Sequence, residues 1–223
     1  FIQMKILLNN IDLNEALYDK SNVGFVPTMG SLHMGHISLI KKSIKQCRNT
    51  IVSIFVNPKQ FNSKKDFNKY PRNLSKDLQL CKKLKVNYVF IPKIKHIYNA
   101  QKEIKIQLKK NEKILCAKYR KGHFEGVIDV MTRLTKLIKP SKIFMGEKDF
   151  QQLLLVKKYI ENYYDVKIIS CKTIRDKNKL ALSSRNFLLS KNEINRAGKI
   201  AKKLISLRKK SFCKKNSKII FKN

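Results

Sequence analysis

Two histidines three residues apart, His33 and His36, are the side chains in this sequence best suited to chemistry on a phosphate. They close the string VPTMGSLHMGH, Val26 to His36, directly after a short apolar run. Residues three apart on a helix share a face, so the two imidazoles can donate hydrogen bonds to one pentavalent phosphorus centre. Gly35 between them removes a side chain and lets an adenine ring approach the backbone. The pattern also admits a structural reading, in which one histidine caps the helix and the other is incidental surface. Four residues alone do not decide between the two. A second polar group, Gly146-Glu147-Lys148-Asp149, follows another apolar run. No Ser/His/Asp arrangement or activated cysteine is evident, which suits a reaction run by positioning and charge stabilisation rather than by a protein nucleophile.

These groups need a frame, and the apolar pattern supplies one. Short β-branched runs predict strands at Val23 to Val26, Thr50 to Val56, Val86 to Ile91, Lys142 to Met145 and Val166 to Ser170, with a further short strand at 104–108. Helical spacing fills the intervals, from the turn at Pro27 to about Lys45, then Leu74 to Leu84, Gly126 to Ile138 and Phe150 to Glu161. Ser190, with Glu193 three residues on, opens a last helix in a capping-box pattern and predicts it to about Lys210. Strands alternating with helices imply a parallel sheet covered on both faces, an α/β Rossmann-like doubly wound fold. In such a sheet, ligands bind beyond the carboxyl ends of the strands, where helix N-termini favour phosphate. The histidine pair and the Gly146–Asp149 segment both fall at that edge.

Composition limits the rest. At 223 residues with 43% hydrophobic content, the chain can bury a substantial core, and disorder is excluded as a general description. No stretch approaches the roughly 20 apolar residues of a membrane-spanning helix, and the N-terminal segment carries no signal-peptide pattern, so a cytoplasmic protein is expected. The five cysteines (Cys47, Cys81, Cys116, Cys171, Cys213) are scattered without a CxxC pair, which predicts free, mostly buried thiols rather than a zinc site or disulfide framework. The formal charge of +35 raises nucleic acid as a partner. However, the basic residues run along the whole chain, and most are Lys, which lacks the planar fork of Arg. Lys, Asn and Ile also share A/T-rich codons. Specific nucleic-acid binding is therefore not expected.

The longer string PTMGSLHMGH resembles the pantoate–β-alanine ligase (pantothenate synthetase) family of the nucleotidylyltransferase superfamily. The resemblance continues through FVNPKQF (Phe55 to Phe61), KYPRNLSKDL (Lys69 to Leu78), YRKGHFEGV (Tyr119 to Val127), FMGEKDFQQL (Phe144 to Leu153) and LALSSRN (Leu180 to Asn186). It implies an ATP-dependent ligase in which the pantoate carboxylate attacks the α-phosphorus of ATP, releasing pyrophosphate, and the β-alanine amine then displaces AMP. By resemblance, Met29, Gly30, Ser31, Leu32, His33, Met34, Gly35 and His36 bind ATP, with His33 and His36 catalytic. Gly146, Glu147, Lys148 and Asp149 do so too, Lys148 neutralising charge at the α-phosphate and Asp149 meeting the ribose. Leu182, Ser183, Ser184 and Arg185 occupy the place of the superfamily's phosphate-clamping loop, and Ile174 a position whose backbone meets the adenine. Gln60 and Gln152 look like the residues that bind pantoate and border the β-alanine site. Asp77 is a candidate Mg²⁺ ligand, Arg120 and His123 are candidates to line the site, and Asn57 either holds its loop or touches substrate. A homodimer is implied as well.

The sequence departs from the family pattern in places. Asn178-Lys179 stand where Asp-Gly is usual, Lys59 brings a charge near the expected pantoate site, and Asp129 has no explanation from sequence. Family members continue into a C-terminal lid domain. The expectation is therefore a catalytic domain at 1–174, and at 175–223 a phosphate-binding loop with the remnant of a truncated subdomain. Two other functions stay open at this point: another nucleotidylyltransferase, or a degenerate non-catalytic basic protein that binds RNA.

Overall fold

A run such as Asn49–Ile54 sends apolar side chains to both faces of a sheet, so such a strand has to be covered twice. The computed structural model, which describes residues 3–98 and 106–212, meets that requirement. Its strands are β1 (Lys5–Leu7), β2 (Val23–Thr28), β3 (Asn49–Ile54), β4 (Tyr88–Phe90), β5 (Lys142–Gly146) and β6 (Lys167–Cys171). Its helices are α1 (Asn10–Leu17), α2 (Met34–Gln46), α3 (Lys64–Lys69), α4 (Leu74–Lys83), α5 (Ile94–Ile97), α6 (Cys116–Tyr119), α7 (His123–Ile138), α8 (Phe150–Glu161) and α9 (Lys191–Phe212). All strand pairings are parallel, in the order β1-β4-β3-β2-β5-β6.

Alternate residues of each strand divide between two cores. Phe25, Ile51, Phe90 and Ile143 pack on one face with Leu13 of α1, Val127 to Ile138 of α7 and Leu153, Val156 and Ile160 of α8. Val26, Val52, Val89 and Phe144 pack on the other with Leu39 and Ile40 of α2 and Cys81 of α4. Phe25, Phe90 and Phe144 are fully buried. The truncation of any one to Ala would cost about 3–5 kcal/mol.

This strand order places the site. From β2 the chain builds outward through β3 and β4, then crosses back to lay β5 and β6 on the opposite side of β2. The reversal leaves a crevice at the carboxyl ends of β2 and β5, the binding position of open α/β sheets. VPTMGSLHMGH leaves β2 there, and Gly146–Asp149 leaves β5 beside it.

Among the elements added to the sequence expectation are β1 and α1. β1 is only three residues long, and α1 is a short helix capped by Asn9, whose side chain accepts from the Ile11 and Asp12 amides at 2.8 and 3.0 Å. The short strand expected at 104–108 is corrected where it can be seen: Ile106 to Leu108 pair with no strand, and the rest of it lies outside the described residues. Leu108 instead joins Ala117, Phe124, Ile128 and Leu155 in a small core behind α7 and α8. Cys47, Cys81 and Cys171 are buried free thiols and Cys116 is an exposed one, while Cys213 lies outside the described residues. Burial pushes the Cys81 thiol up to about 12. Among the described residues no helix is long and apolar enough to cross a membrane.

Candidate active site

The turn from β2 into α2 is built to expose its backbone. Gly30 and Ser31 both have positive φ, +79° and +52°, which a chain rarely adopts twice in succession without support. The support is Asp77, a buried residue of α4. Its carboxylate accepts from the Ser31 amide at 2.8 Å and the Leu32 amide at 2.7 Å. A Cβ on Gly30 would lie 3.0 Å from Asp77 Oδ2 and from Ile54 Cγ2, so the loop closes against both. Thr28 ties the other side: its Oγ1 accepts from the Gly30 amide at 3.1 Å and donates to the Ser53 carbonyl at 2.6 Å.

Both histidines then cap the helix that presents them. His33 is the N-cap of α2, and its Nδ1 accepts from the Gly35 amide at 3.1 Å. His36 Nδ1 accepts from the His33 amide at 3.3 Å. With each Nδ1 engaged as an acceptor, the neutral imidazoles carry their proton on Nε2. Protonation would forfeit those bonds, and burial opposes it further. Burial is the largest cause lowering His36 to about 3, helped by the neighbouring His33 and by Lys148. Burial and Lys148 lower His33 to about 4. The rings lie 4.1 Å apart, so the pair forms two adjacent neutral N–H donors. The capping reading of HMGH holds for both histidines, and it leaves their Nε2–H groups compatible with the chemical one.

The loop after β3 supplies amides. Asn57 is buried, and its side chain bonds the Gly126 carbonyl at 3.1 Å and Gln60 Oε1 at 3.2 Å. Gly126 lets α7 approach this loop, because a Cβ there would sit 2.4 Å from the Lys59 carbonyl oxygen. His123, at the start of α7, donates from Nδ1 to the Gln60 carbonyl at 2.6 Å. On α8, Gln151 turns away and donates to the Ile114 carbonyl at 2.8 Å. Its neighbour Gln152 lines the cleft.

The far wall comes from residues 173–185. Arg175 and Ala181 form an antiparallel bridge, and the Leu182 amide donates to the Ile174 carbonyl at 3.0 Å. The resulting hairpin carries Ile174 and Leu182 to the cleft. Lys179 takes φ +70° at its tip. The position that lacks the usual glycine is thus the one held left-handed. Ser184 is buried and donates to the Ser31 carbonyl at 3.0 Å, stitching this wall to the β2–α2 turn. Arg185 pairs with Asp66 of α3 at 2.8 Å and lies against the Tyr70 ring.

These elements enclose a cleft of about 250 Å³. Of the expected residues, Met29, His33, Gly35, His36, Gln60, Gly146, Lys148, Asp149, Gln152, Ile174, Leu182, Ser183, Ser184 and Arg185 line it, as do Asn57, Arg120 and His123. Gly30, Ser31 and Leu32 shape the turn behind it without lining it, and Met34 is exposed on α2. The Glu147 side chain accepts from Ser170 at 2.6 Å on the neighbouring strand instead of facing the cleft. Asp77, the candidate Mg²⁺ ligand, accepts a loop amide on each oxygen and does not line the cleft, so in this structure it braces the loop. Sequence reasoning missed Phe61, Tyr70, Lys172 and Thr173, together with the apolar wall of Val127, Val130, Met131 and Leu134. The wall follows from the apolar spacing of α7. Tyr70 stands in a quoted block, KYPR, with no chemistry of its own to mark it.

A doubly wound sheet whose switch point carries HxGH, an adjacent lysine and a hydroxyl-arginine loop defines an adenylate-forming or nucleotidyl-transferring site. Comparison with known proteins narrows this. The family model described as pantoate-beta-alanine ligase matches residues 5–222. The pantothenate synthetase of Helicobacter pylori (strain ATCC 700392 / 26695) is 45% identical over 208 residues, covering 90% of this chain and 75% of that one. That of Pseudothermotoga lettingae is 40% identical over 226 residues, covering 96% and 80%. The crystal structure of pantothenate synthetase from Thermus thermophilus superposes with a TM-score of 0.88 at 34% identity, covering 92% of this chain and 75% of that chain. Pantoate-beta-alanine ligase from Francisella tularensis, solved with beta-gamma ATP and beta-alanine, gives 0.86 at 40% identity, covering 90% and 78%. The chain belongs to the pantoate–β-alanine ligase family. That membership selects the ligase among the three functions the sequence left open.

Proposed function

We propose that this cleft condenses pantoate with β-alanine through a pantoyl-adenylate, consuming ATP and releasing AMP and pyrophosphate. The observation that carries the reading is the convergence of two neutral imidazole donors, Lys148 and two carboxamides on one crevice, within a chain of this family. In the first step a carboxylate oxygen of pantoate attacks the α-phosphorus and pyrophosphate leaves. Charge gathers on the α-phosphate oxygens, where the Nε2–H groups of His33 and His36 and the Lys148 ammonium stabilise it. Gln60 and Gln152 hold pantoate, since an amide N–H serves its carboxylate and an amide oxygen serves a hydroxyl. Gly35 and Ile174 border the adenine, Asp149 the ribose, and Ser183, Ser184 and Arg185 the departing phosphates. In the second step the β-alanine amine attacks the acyl carbon, and the C–O bond to AMP breaks.

Magnesium fits this site only in part. Among the described residues no group of three His, Cys, Asp or Glu side chains could hold a metal, and the cleft's one lining carboxylate, Asp149, lies 3.4 Å from Lys148 Nζ. Mg²⁺ commonly binds through substrate phosphates and water with few protein ligands, so we propose that it arrives with ATP and supplies charge neutralisation there. The division at residue 174, a cytoplasmic location and a homodimer belong to the same proposal, and they rest on the chain's resemblance to this family.

Isotope transfer tests the chemistry. Pantoate labelled with ¹⁸O in its carboxylate should deliver one labelled oxygen to AMP, because the acyl C–O bond breaks in the second step. AMP without label, formed alongside pantothenate, would overturn the adenylate route.

A further inference from the structure

Gln60 faces a chemical choice that the shape of its side chain does not make. A carboxylate only accepts hydrogen bonds, so a carboxamide that binds it must present nitrogen, not oxygen. The two ends of an amide differ little in shape, and something must choose between them.

A chain of contacts that begins outside the cleft makes that choice. The Tyr98 hydroxyl donates to Asn57 Oδ1 at 2.8 Å. The Lys59 amide donates to the same oxygen at 3.2 Å. Asn57 Nδ2 is thereby turned the other way, toward Gln60 Oε1 at 3.2 Å and the Gly126 carbonyl at 3.1 Å. Gln60 Oε1 is then occupied, and Nε2 meets Met29 Sδ at 3.1 Å at the cleft wall. Thioether sulfur is a weak acceptor, so a carboxylate would readily replace it.

Tyr98 is itself fixed. Its ring centroid lies 4.4 Å from Lys59 Nζ and 4.9 Å from the Arg133 guanidinium carbon, both within cation–π range. Asp129 accepts from Arg133 Nε at 2.7 Å and lies 3.9 Å from Lys59 Nζ. Lys59 and Asp129, unexplained by sequence, are thus partners around one ring. Tyr98, Asp129 and Arg133 do not line the cleft.

We infer that Tyr98 is a positioning residue for substrate recognition: acting through Asn57, its hydroxyl sets the Gln60 carboxamide with nitrogen toward the substrate carboxylate. The inference rests on the proposed role of Gln60 in binding pantoate. Its effect belongs to the acid substrate and not to ATP.

Tyr98→Phe keeps the ring and its two cations and removes the hydroxyl alone. The expected result is a KM for pantoate raised about tenfold, the scale of one hydrogen bond, with KM for ATP unchanged. A pantoate KM that does not move, or one that rises together with the ATP KM, would overturn the inference. The side-chain amide resonances of Gln60 provide a readout independent of turnover. They should shift in Tyr98→Phe, and unchanged resonances would sink the inference even if the wild-type protein made no pantothenate. Wild-type protein that lacks turnover, with Gln60 resonances that still shift in the variant, would place the failure in the proposed function instead.

Discussion

On the proposed mechanism, His33 and His36 each hold a helix and do chemistry at once. Each gives Nδ1 to a backbone amide, which organises the N-terminus of α2 and leaves Nε2–H for a phosphate. The linkage follows from the directions of their shifts. A folded-state pKa below the unfolded value near 6.5 means that the folded protein binds fewer protons through the window from about 6.5 down to 4 for His33 and 3 for His36. Stability falls as pH drops through that window and is untouched by these groups above it. Imidazole C–H resonances followed by NMR from pH 8 to 5 should accordingly show neither ring titrating at its usual position. An inflection near 6.5 from either histidine would contradict the neutral-donor account. The identity of these residues was legible in the sequence, as were Lys148, Gln60 and Gln152. What the sequence could not convey was direction: Glu147 faces Ser170, and Asp77 faces inward to the loop amides. Side-chain direction depends on long-range contacts, and the Ser31–Asp77 bond spans 46 positions.

Elements bring these residues within reach of one another, and two positions carry unusual demands. Gly126 permits α7 to lie on the Gln60 loop, where an added Cβ would meet the carbonyl oxygen and carbon of Lys59 at 2.4 and 2.8 Å. Backbone cannot yield as a flexible side chain can. Gly126→Ala should cost about 1–3 kcal/mol, read as a lower urea midpoint, and should weaken pantoate use more than ATP binding. An unchanged midpoint would show that the packing is looser than described. Lys179 has the opposite character, a residue with a Cβ held at φ +70°. Lys179→Gly should stabilise the fold by roughly 0.5–1 kcal/mol, the left-handed penalty less the entropy glycine loses on folding. A thermal midpoint raised by about 1–4 °C would register it; a fall would mean that the lysine side chain contributes more than its backbone strain costs. The central strands and α2, α4, α7 and α8 were legible because their apolar spacing is long and regular. β1 and α1 were not, since a three-residue strand gains its stability from pairing with β4, a contact that local sequence does not encode.

At the scale of the whole molecule, strand order does the work that no motif can. The crossing from β4 back to β5 brings Lys148 and Gln152 beside the β2 turn, although well over 100 residues separate them from His33 in sequence. The doubly wound sheet was readable from alternation alone, but the order was not, and with it the neighbours of each loop. The net charge of +35 points away from this function when taken by itself; the cleft carries Lys148, Lys172, Arg120 and Arg185, and on the proposed mechanism part of that charge serves to draw in ATP and the pantoate anion. On the proposed mechanism, this cleft forms pantoyl-adenylate by charge stabilisation from neutral histidines. Pyrophosphate release by the purified protein with ATP, Mg²⁺ and pantoate tests it most directly, run with and without β-alanine and beside His36→Ala. Release should require pantoate, yield pantothenate when β-alanine is added, and fall at least a hundredfold in the variant, about the loss of one preorganised donor. Release that ignores pantoate, or that survives in a folded His36→Ala protein, would contradict it.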